Sequence, residues 1–330
     1  MNGHALIRPC ASAALLFVLL APGCSKNQTS PSVLCDNEGD DLIAFSSDRG
    51  HAGLYDIYLF DADQAGFRLL RNLDDPAASD SSPSLSRDGQ LIAFVSDRGG
   101  AGNTDLYIYE RISCSLIATT GLNSAGNETE PTFTGDTRRL AFVRDTLGRR
   151  SIRLVNGGSL TYVTLPGLGS AYGSGDWSPA PDSTGARIAF VSDREGSPHL
   201  YLYDRATQKV DSLNDLRVAG ARDLDPSLTP DARYLCFASD RSGGAGGFDI
   251  YLVDLTTTPR SFKTLANLNT AGDERRPKIS HSGSYLAFQS QSPDSTGWNV
   301  RYYSRAGSQV VMPSQLAGTG TDLHPSVRLP

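Results

Sequence analysis

Ionisable side chains recur along this chain at spacings near fifty residues. Asp80, Glu128, Tyr172, Asp223, Glu274 and Asp322 each lie three residues before a proline, or its equivalent, in a short polar segment, and five of the six are acidic. Arg49, Arg98, Arg194 and Arg241 each close a Ser-Asp-Arg triplet. Carboxylates and guanidinium groups pair through charge-assisted hydrogen bonds. A ring of such groups therefore has two readings. It stitches neighbouring structural units together, or it offers charge to a peptide or polar ligand. Two copies depart from the pattern: Arg144-Asp145 reverses the order, and Gln289-Ser290-Gln291 replaces the Asp-Arg pair.

Other chemistry finds little support. No Gly-x-Ser-x-Gly elbow and no His-Glu-x-x-His motif occurs, so neither a hydrolase nucleophile nor a zinc-protease site is signalled. Beyond the first residues the histidines are His51, His199, His281 and His324. His51 and His324 map to the same end of one repeat, where a metal or general-base role competes with a reading as loop polar groups. Asp61-Ala-Asp63-Gln-Ala-Gly66 carries part of a calcium-loop spacing but falls where a hairpin turn belongs. The reading is of a binding protein without catalytic residues, resident metal or cofactor. Among the cysteines, Cys236 replaces an alanine in an apolar phrase and is expected to be buried and inert. Cys35 and Cys114 fall on the same face of adjacent repeats and form a candidate disulfide in an oxidising compartment.

The elements that hold these groups come from an internal repeat. Leu42-Ile-Ala-Phe-Ser-Ser-Asp-Arg returns as Leu91-Ile-Ala-Phe-Val-Ser-Asp-Arg, Arg187-Ile-Ala-Phe-Val-Ser-Asp-Arg and Tyr234-Leu-Cys-Phe-Ala-Ser-Asp-Arg, with weaker copies from Leu140 and Tyr285. The anchoring Phe45, Phe94, Phe142, Phe190, Phe237 and Phe288 are separated by 49, 48, 48, 47 and 51 residues. That period is close to a propeller blade, and each copy breaks into short strands rather than helices. Four strands fit each copy: a small polar strand A opened by proline, an apolar strand B, a strand C mixing aliphatic residues with Tyr, and a polar outer strand D. The repeat region starts at a strand B and ends with an unpaired strand A, His324–Leu329. The expectation is an all-β, six-bladed propeller of four-stranded antiparallel blades, its first blade closed by the last strand.

The phrase x-Pro-x-x-Ser, Gly, Ile-Ala-Phe-x-Ser-Asp-Arg, Asp-Ile-Tyr resembles the propeller repeats of the TolB family, also described as WD40-like or PD40 repeats, over residues 41–330. The resemblance implies the fold and a central mouth offered to a periplasmic partner. The α/β domain that precedes the propeller in TolB has no counterpart ahead of these repeats, where only a short polar stretch stands, so the role of that system does not carry over whole.

At the N-terminus, Arg8 precedes the apolar run Ala11–Leu20, too short to span a bilayer. Leu20-Ala21-Pro22-Gly23-Cys24 resembles a bacterial lipoprotein signal, which implies acylation of Cys24 and, with Ser25 next, sorting to the outer membrane. Residues 1–23 are thus expected to be a signal, 24–40 a polar tether and 41–330 the propeller. Loss of Arg8, the one charged residue of that signal, takes the net charge from −6 to −7, which repels nucleic-acid phosphates on average. The expected protein is an exported, lipid-anchored monomer at the periplasmic side of the outer membrane or the cell surface, touching the membrane through its lipid alone and binding an envelope protein or peptide. The alternative is a hydrolase or lyase of cell-envelope or scavenged polymers.

Overall fold

A computed structural model describes residues 41–51, 53–100, 102–119, 121–169, 174–294, 297–317 and 320–329. The signal and tether assigned from sequence, with Cys24 and Cys35, lie outside them. The described chain forms six four-stranded antiparallel sheets, each a blade. In blades 1 to 6 the innermost strands A are Asp322–Arg328, Asp80–Leu85, Asn127–Phe133, Asp176–Pro181, Asp223–Leu228 and Asp273–Ile279. Strands B are Leu42–His51, Leu91–Ser96, Arg139–Thr146, Arg187–Ser192, Tyr234–Ser239 and Tyr285–Gln291. Blade 1 is completed by the last strand of the chain, with Leu42 opposite Arg328 and Ser47 opposite Asp322. No described helix is long and apolar enough to cross a membrane.

Strand B is apolar on both faces because each blade is covered by two neighbours. Its six anchoring phenylalanines are all fully buried. The buried residues fall into six clusters, one at each junction between blades. An open stack of six blades has five junctions. The sixth cluster joins Ile43, Phe45 and Phe60 of blade 1 to Ala287 and Val300 of blade 6, with Leu316 and Leu329 between them, and so closes the ring.

The strand-A prolines do not open their strands, as the sequence suggests. Pro83, Pro131, Pro179, Pro226, Pro277 and Pro325 are buried well inside strand A, each at a break in register with strand B. Proline is accommodated at a bulge because the ladder there needs no N–H. The residue before it is left-handed in every blade: Ser82, Glu130, Ser178, Asp225, Arg276 and His324 have φ between 50° and 54°. Non-glycine residues rarely adopt this conformation, yet here it recurs once per blade, and these same residues line the central channel.

In three blades the residue after the proline is a serine that ties its blade to the next. Ser326 Oγ accepts the Leu85 N–H at 2.9 Å, Ser84 accepts that of Phe133 at 3.1 Å, and Ser227 accepts that of Ile279 at 3.0 Å. All three bonds are buried. Ser84→Ala is expected to strand the Phe133 amide and to cost about 1–3 kcal/mol, read as a lower midpoint in urea unfolding with an unchanged slope.

Candidate functional site

The loops between strands B and C meet those leading into strand A at one end of the ring, and the Ser-Asp-Arg triplet is the lock between them. In blade 5, Arg241 lies over Phe237, Tyr251 and Phe262 at 5.1, 4.6 and 5.2 Å. Its Nε donates to Ser239 Oγ at 3.1 Å, and its Nη2 donates to Asp223 at 2.8 Å and to the Leu216 carbonyl at 3.2 Å. Asp240 accepts the N–H of Arg222, the residue before Asp223, at 2.6 Å. The three members of the triplet divide the work, Ser orienting the guanidinium, Arg holding the strand-A acid, and Asp fixing the backbone beside that acid. Blades 1 and 2 repeat the arrangement through Arg49 with Asp322 at 2.6 Å and Arg98 with Asp80 at 2.5 Å.

Blade 4 corrects the sequence reading. The acid paired with Arg194 is Asp176, at 2.7 Å. Asp176-Trp-Ser-Pro179 carries the acid-x-x-Pro spacing, while Tyr172 lies outside the described residues. All six positions are therefore acidic. The ion pairs also join parts of the same blade rather than neighbours. It is the additional bond from Arg49, Arg98, Arg144 and Arg241 to the carbonyls of Gln315, Leu73, Leu122 and Leu216 that ties in the loop arriving from the previous blade.

Blades 3 and 6 use glutamate where the others use aspartate, and the longer side chain has a reason. Glu128 accepts from Ser124 N and Oγ at 3.0 and 2.5 Å, and Glu274 accepts from Thr270 N and Oγ at 2.9 and 2.6 Å. The matching loops, Leu122-Asn-Ser-Ala-Gly-Asn-Glu128 and Leu268-Asn-Thr-Ala-Gly-Asp-Glu274, could have revealed this from sequence. Arg144, displaced by two positions from the usual arginine, still reaches Glu128 at 2.7 Å. Blade 6 has Ser292 at the arginine position, and among the described contacts Glu274 has no ion pair.

The six carboxyl-bearing residues, Asp80, Glu128, Asp176, Asp223, Glu274 and Asp322, are at most 1% exposed. Burial pushes the Asp80, Asp322 and Glu274 carboxyls above their ordinary range, although Arg98 lowers the first, Arg49 the second and the Thr270 hydroxyl the third. Desolvation on this scale, with the bonds above, makes the ring a built-in fastening that shapes the face of the propeller.

The groups open to the channel are those the left-handed bulges turn inward. A cavity of about 50 Å³ is lined by Ser82, Glu130, Ser178, Asp225, Arg276 and His324, with the six prolines, Thr132 and Lys278. Its acids are engaged: Glu130 accepts the Ser178 N–H at 2.5 Å, and Asp225 accepts from Arg275 Nε at 2.9 Å and from Arg276 N at 3.3 Å. Burial, then the charges of Arg276 and Lys278, hold His324 well below the ordinary histidine value, so it is neutral near pH 7. Apart from His324, these residues escaped the sequence reading because they share a backbone conformation rather than a side-chain type.

The candidate pair His51 and His324 is not brought together as a ligand set. His324 lines the channel, while His51 Nδ1 lies 3.1 Å from Asp56 Oδ2 and groups with Asp74, one ligand atom from each falling within 4.8 Å of the others. That trio could hold a divalent cation. The hydrogen bond to Asp56 raises the His51 pKa, and burial raises that of Asp56. Asp61 caps its own hairpin turn, accepting from Asp63 N and Gln64 N, as a turn residue rather than a calcium ligand. Cys236 is a buried free thiol whose pKa burial raises strongly. Cys114 is half of a disulfide whose other cysteine lies outside the described residues.

No family model matches the chain, and no curated protein is similar to it in sequence. Solved structures are similar in fold. TolB from Acinetobacter baumannii superposes with a TM-score of 0.66 at 19% identity, covering 88% of this chain and 67% of that one. A putative TolB from Agrobacterium tumefaciens gives 0.59 at 16%, covering 88% and 92%. An oligogalacturonate lyase in complex with manganese gives 0.50 at 12%, covering 82% and 73%. At these identities the likeness is one of fold, a six-bladed propeller of the kind TolB carries, and one fold hosts several activities.

Proposed function

We propose that this chain is a TolB-like binding module, exported and lipid-anchored through Cys24 by a 24–40 tether, whose locked loop face receives an envelope protein or peptide. One observation carries the reading: every blade fixes its loops at that end by a buried acid, five of the six with an arginine, which holds a preformed set of loops around a polar channel. A preformed surface spares a partner the ordering of loops on binding. Reversing the charge of Asp223 or Glu274 would not test this, since both are buried and the variants would unfold. The test is photo-crosslinking in cells from Ser242 and Ser292, exposed on that face, with Ala206 on the opposite face as control. The expected result is one shared envelope protein captured from Ser242 and Ser292 but not from Ala206. Equal capture from all three overturns the assignment of the face.

A second reading, a hydrolase or lyase of cell-envelope or scavenged polymers, is favoured by His51, Asp56 and Asp74 alone. The fold likeness to a manganese-bound lyase is compatible with it.

A further inference from the structure

The opposite end of the channel has its own chemistry. There it widens into a funnel of about 140 Å³ at the turns between strands A and B, room for on the order of ten water-sized positions. The wall is mixed: Leu85, Phe133, Leu228 and Ile279 occupy equivalent positions in their blades, each with 7–8% of its surface open, and form an apolar band beside Ser86, Thr132 and Thr134. The charged residues lining it are Arg87, Lys278 and Arg328, with no carboxylate among the described lining residues. Acids do occur in the surrounding turns, but they are folded back on their own backbone. Asp88 accepts from Ser86 Oγ and Gln90 N, Asp136 from Thr134 Oγ1 and Arg138 N, Asp182 from Ala186 N and Arg187 N, and Asp231 from Thr229 Oγ1 and Arg233 N.

Lys278 is the unusual member. It stands one residue after the strand-A proline, where Ser84, Ser227 and Ser326 serve as ties between blades. It makes no hydrogen bond or ion pair among the described residues, and, with Pro83, Pro131 and Thr132, it lines both the funnel and the inner channel, at the waist where the two meet. Burial and the nearby Arg276 push its pKa below the ordinary lysine value, against the opposing pull of the Glu130 and Asp225 carboxylates in the inner channel. A half-buried cation that no carboxylate touches directly is costly, and a carboxylate arriving beside it on the funnel side supplies the charge-assisted hydrogen bond that Glu130 and Asp225, already engaged elsewhere, do not make. In a chain of net charge −6 this is a local inversion of sign.

We propose that the funnel is a binding pocket for an organic carboxylate with a short apolar body, its charge set against Lys278 and its apolar part against the leucine, phenylalanine and isoleucine wall. This site is separate from the loop face assigned above. Two sources present that chemistry, the carboxyl terminus of a peptide ending in an apolar residue and a small free acid. Calorimetry on the purified full chain with acetyl-Ala-Ala-Leu, its C-terminal carboxamide and 4-methylpentanoate tests the proposal and separates the sources. The free tripeptide is expected to bind about tenfold or more tightly than its carboxamide, and Lys278→Met to lose that preference while Lys278→Arg retains it. Thermal melting of the Met variant, expected at or above wild type once the unpaired charge is gone, shows that any loss is local. Tighter binding of the tripeptide than of 4-methylpentanoate identifies a peptide end, and equal binding a free acid; both uphold the site. Equal affinity for acid and carboxamide, no binding of either acid, or a Lys278→Met variant that binds like wild type overturns it.

Discussion

Truncation after Thr321 is expected to abolish the cooperative unfolding transition of the entire propeller rather than fray one edge. The nine residues removed make up under a thirtieth of the chain, but they contain all of strand A of blade 1. With them go the ladder to Leu42–Ser47, the Asp322 partner of Arg49, the Ser326 oxygen that accepts the Leu85 amide, and Leu329 in the junction between blades 1 and 6. An exposed edge on strand B, a stranded guanidinium and a breached core each cost on the order of 1–5 kcal/mol. Together they rival the whole folding stability of a typical domain, about 5–15 kcal/mol. Circular dichroism melting of the truncated chain measures this. A transition of wild-type sharpness and midpoint would show that the ring does not depend on its closing strand.

Asp223→Ala is expected to lose about 3–5 kcal/mol, because it leaves Arg241 held by Phe237, Tyr251 and Ser239 with its charge uncompensated. In a domain of this size that is a fall of roughly 6–10 °C in melting temperature. Asp223→Ala combined with Arg241→Met should recover much of the loss, since replacing both partners removes the stranded charge. Glu274→Gln should behave differently, staying within about 1 kcal/mol of wild type at pH 7, because an amide still serves Thr270 and no direct ion pair among the described residues is broken. The pH dependence has a definite sign. Burial raises the Glu274 pKa above its unfolded value near 4.5, so its contribution is fully present below that value and is lost as pH rises through the higher folded one. The Gln variant, which has nothing to titrate, should therefore gain on wild type as melts are run from pH 4 to pH 7. Equal losses for Asp223→Ala and Glu274→Gln would contradict the distinction between paired and unpaired acids.

The blade count and the closing strand were legible because the strand-B phrase repeats in sequence as faithfully as in space. Phe45 through Phe288 are apolar for the same reason in every copy: each plugs the space between two sheets. The Ser-Asp-Arg triplet was legible as a pattern but not as a device, since its meaning lies in which backbone N–H the Asp caps and which loop carbonyl the Arg reaches. Asp176 is the acid that the spacing to Pro179 marks, and the departure of blade 4 to a tyrosine at Tyr172 is only apparent. The channel set from Ser82 to His324 was not legible as a set, although His324 stood out by its side chain alone. What unites those residues is a positive φ imposed by a bulge, and neither polarity nor size marks it.

The shared first blade has a bearing on how such a chain changes over time. A linear array of repeats lengthens by duplicating a unit at a free end, but here both ends of the array are spent on one another, and an additional unit would have to force apart a finished circle. Novelty must then enter by altering single copies in place. Blade 6 illustrates the latitude a single copy has: it carries Ser292 where four blades place the arginine and Lys278 where three place a tying serine, with its four-stranded sheet intact.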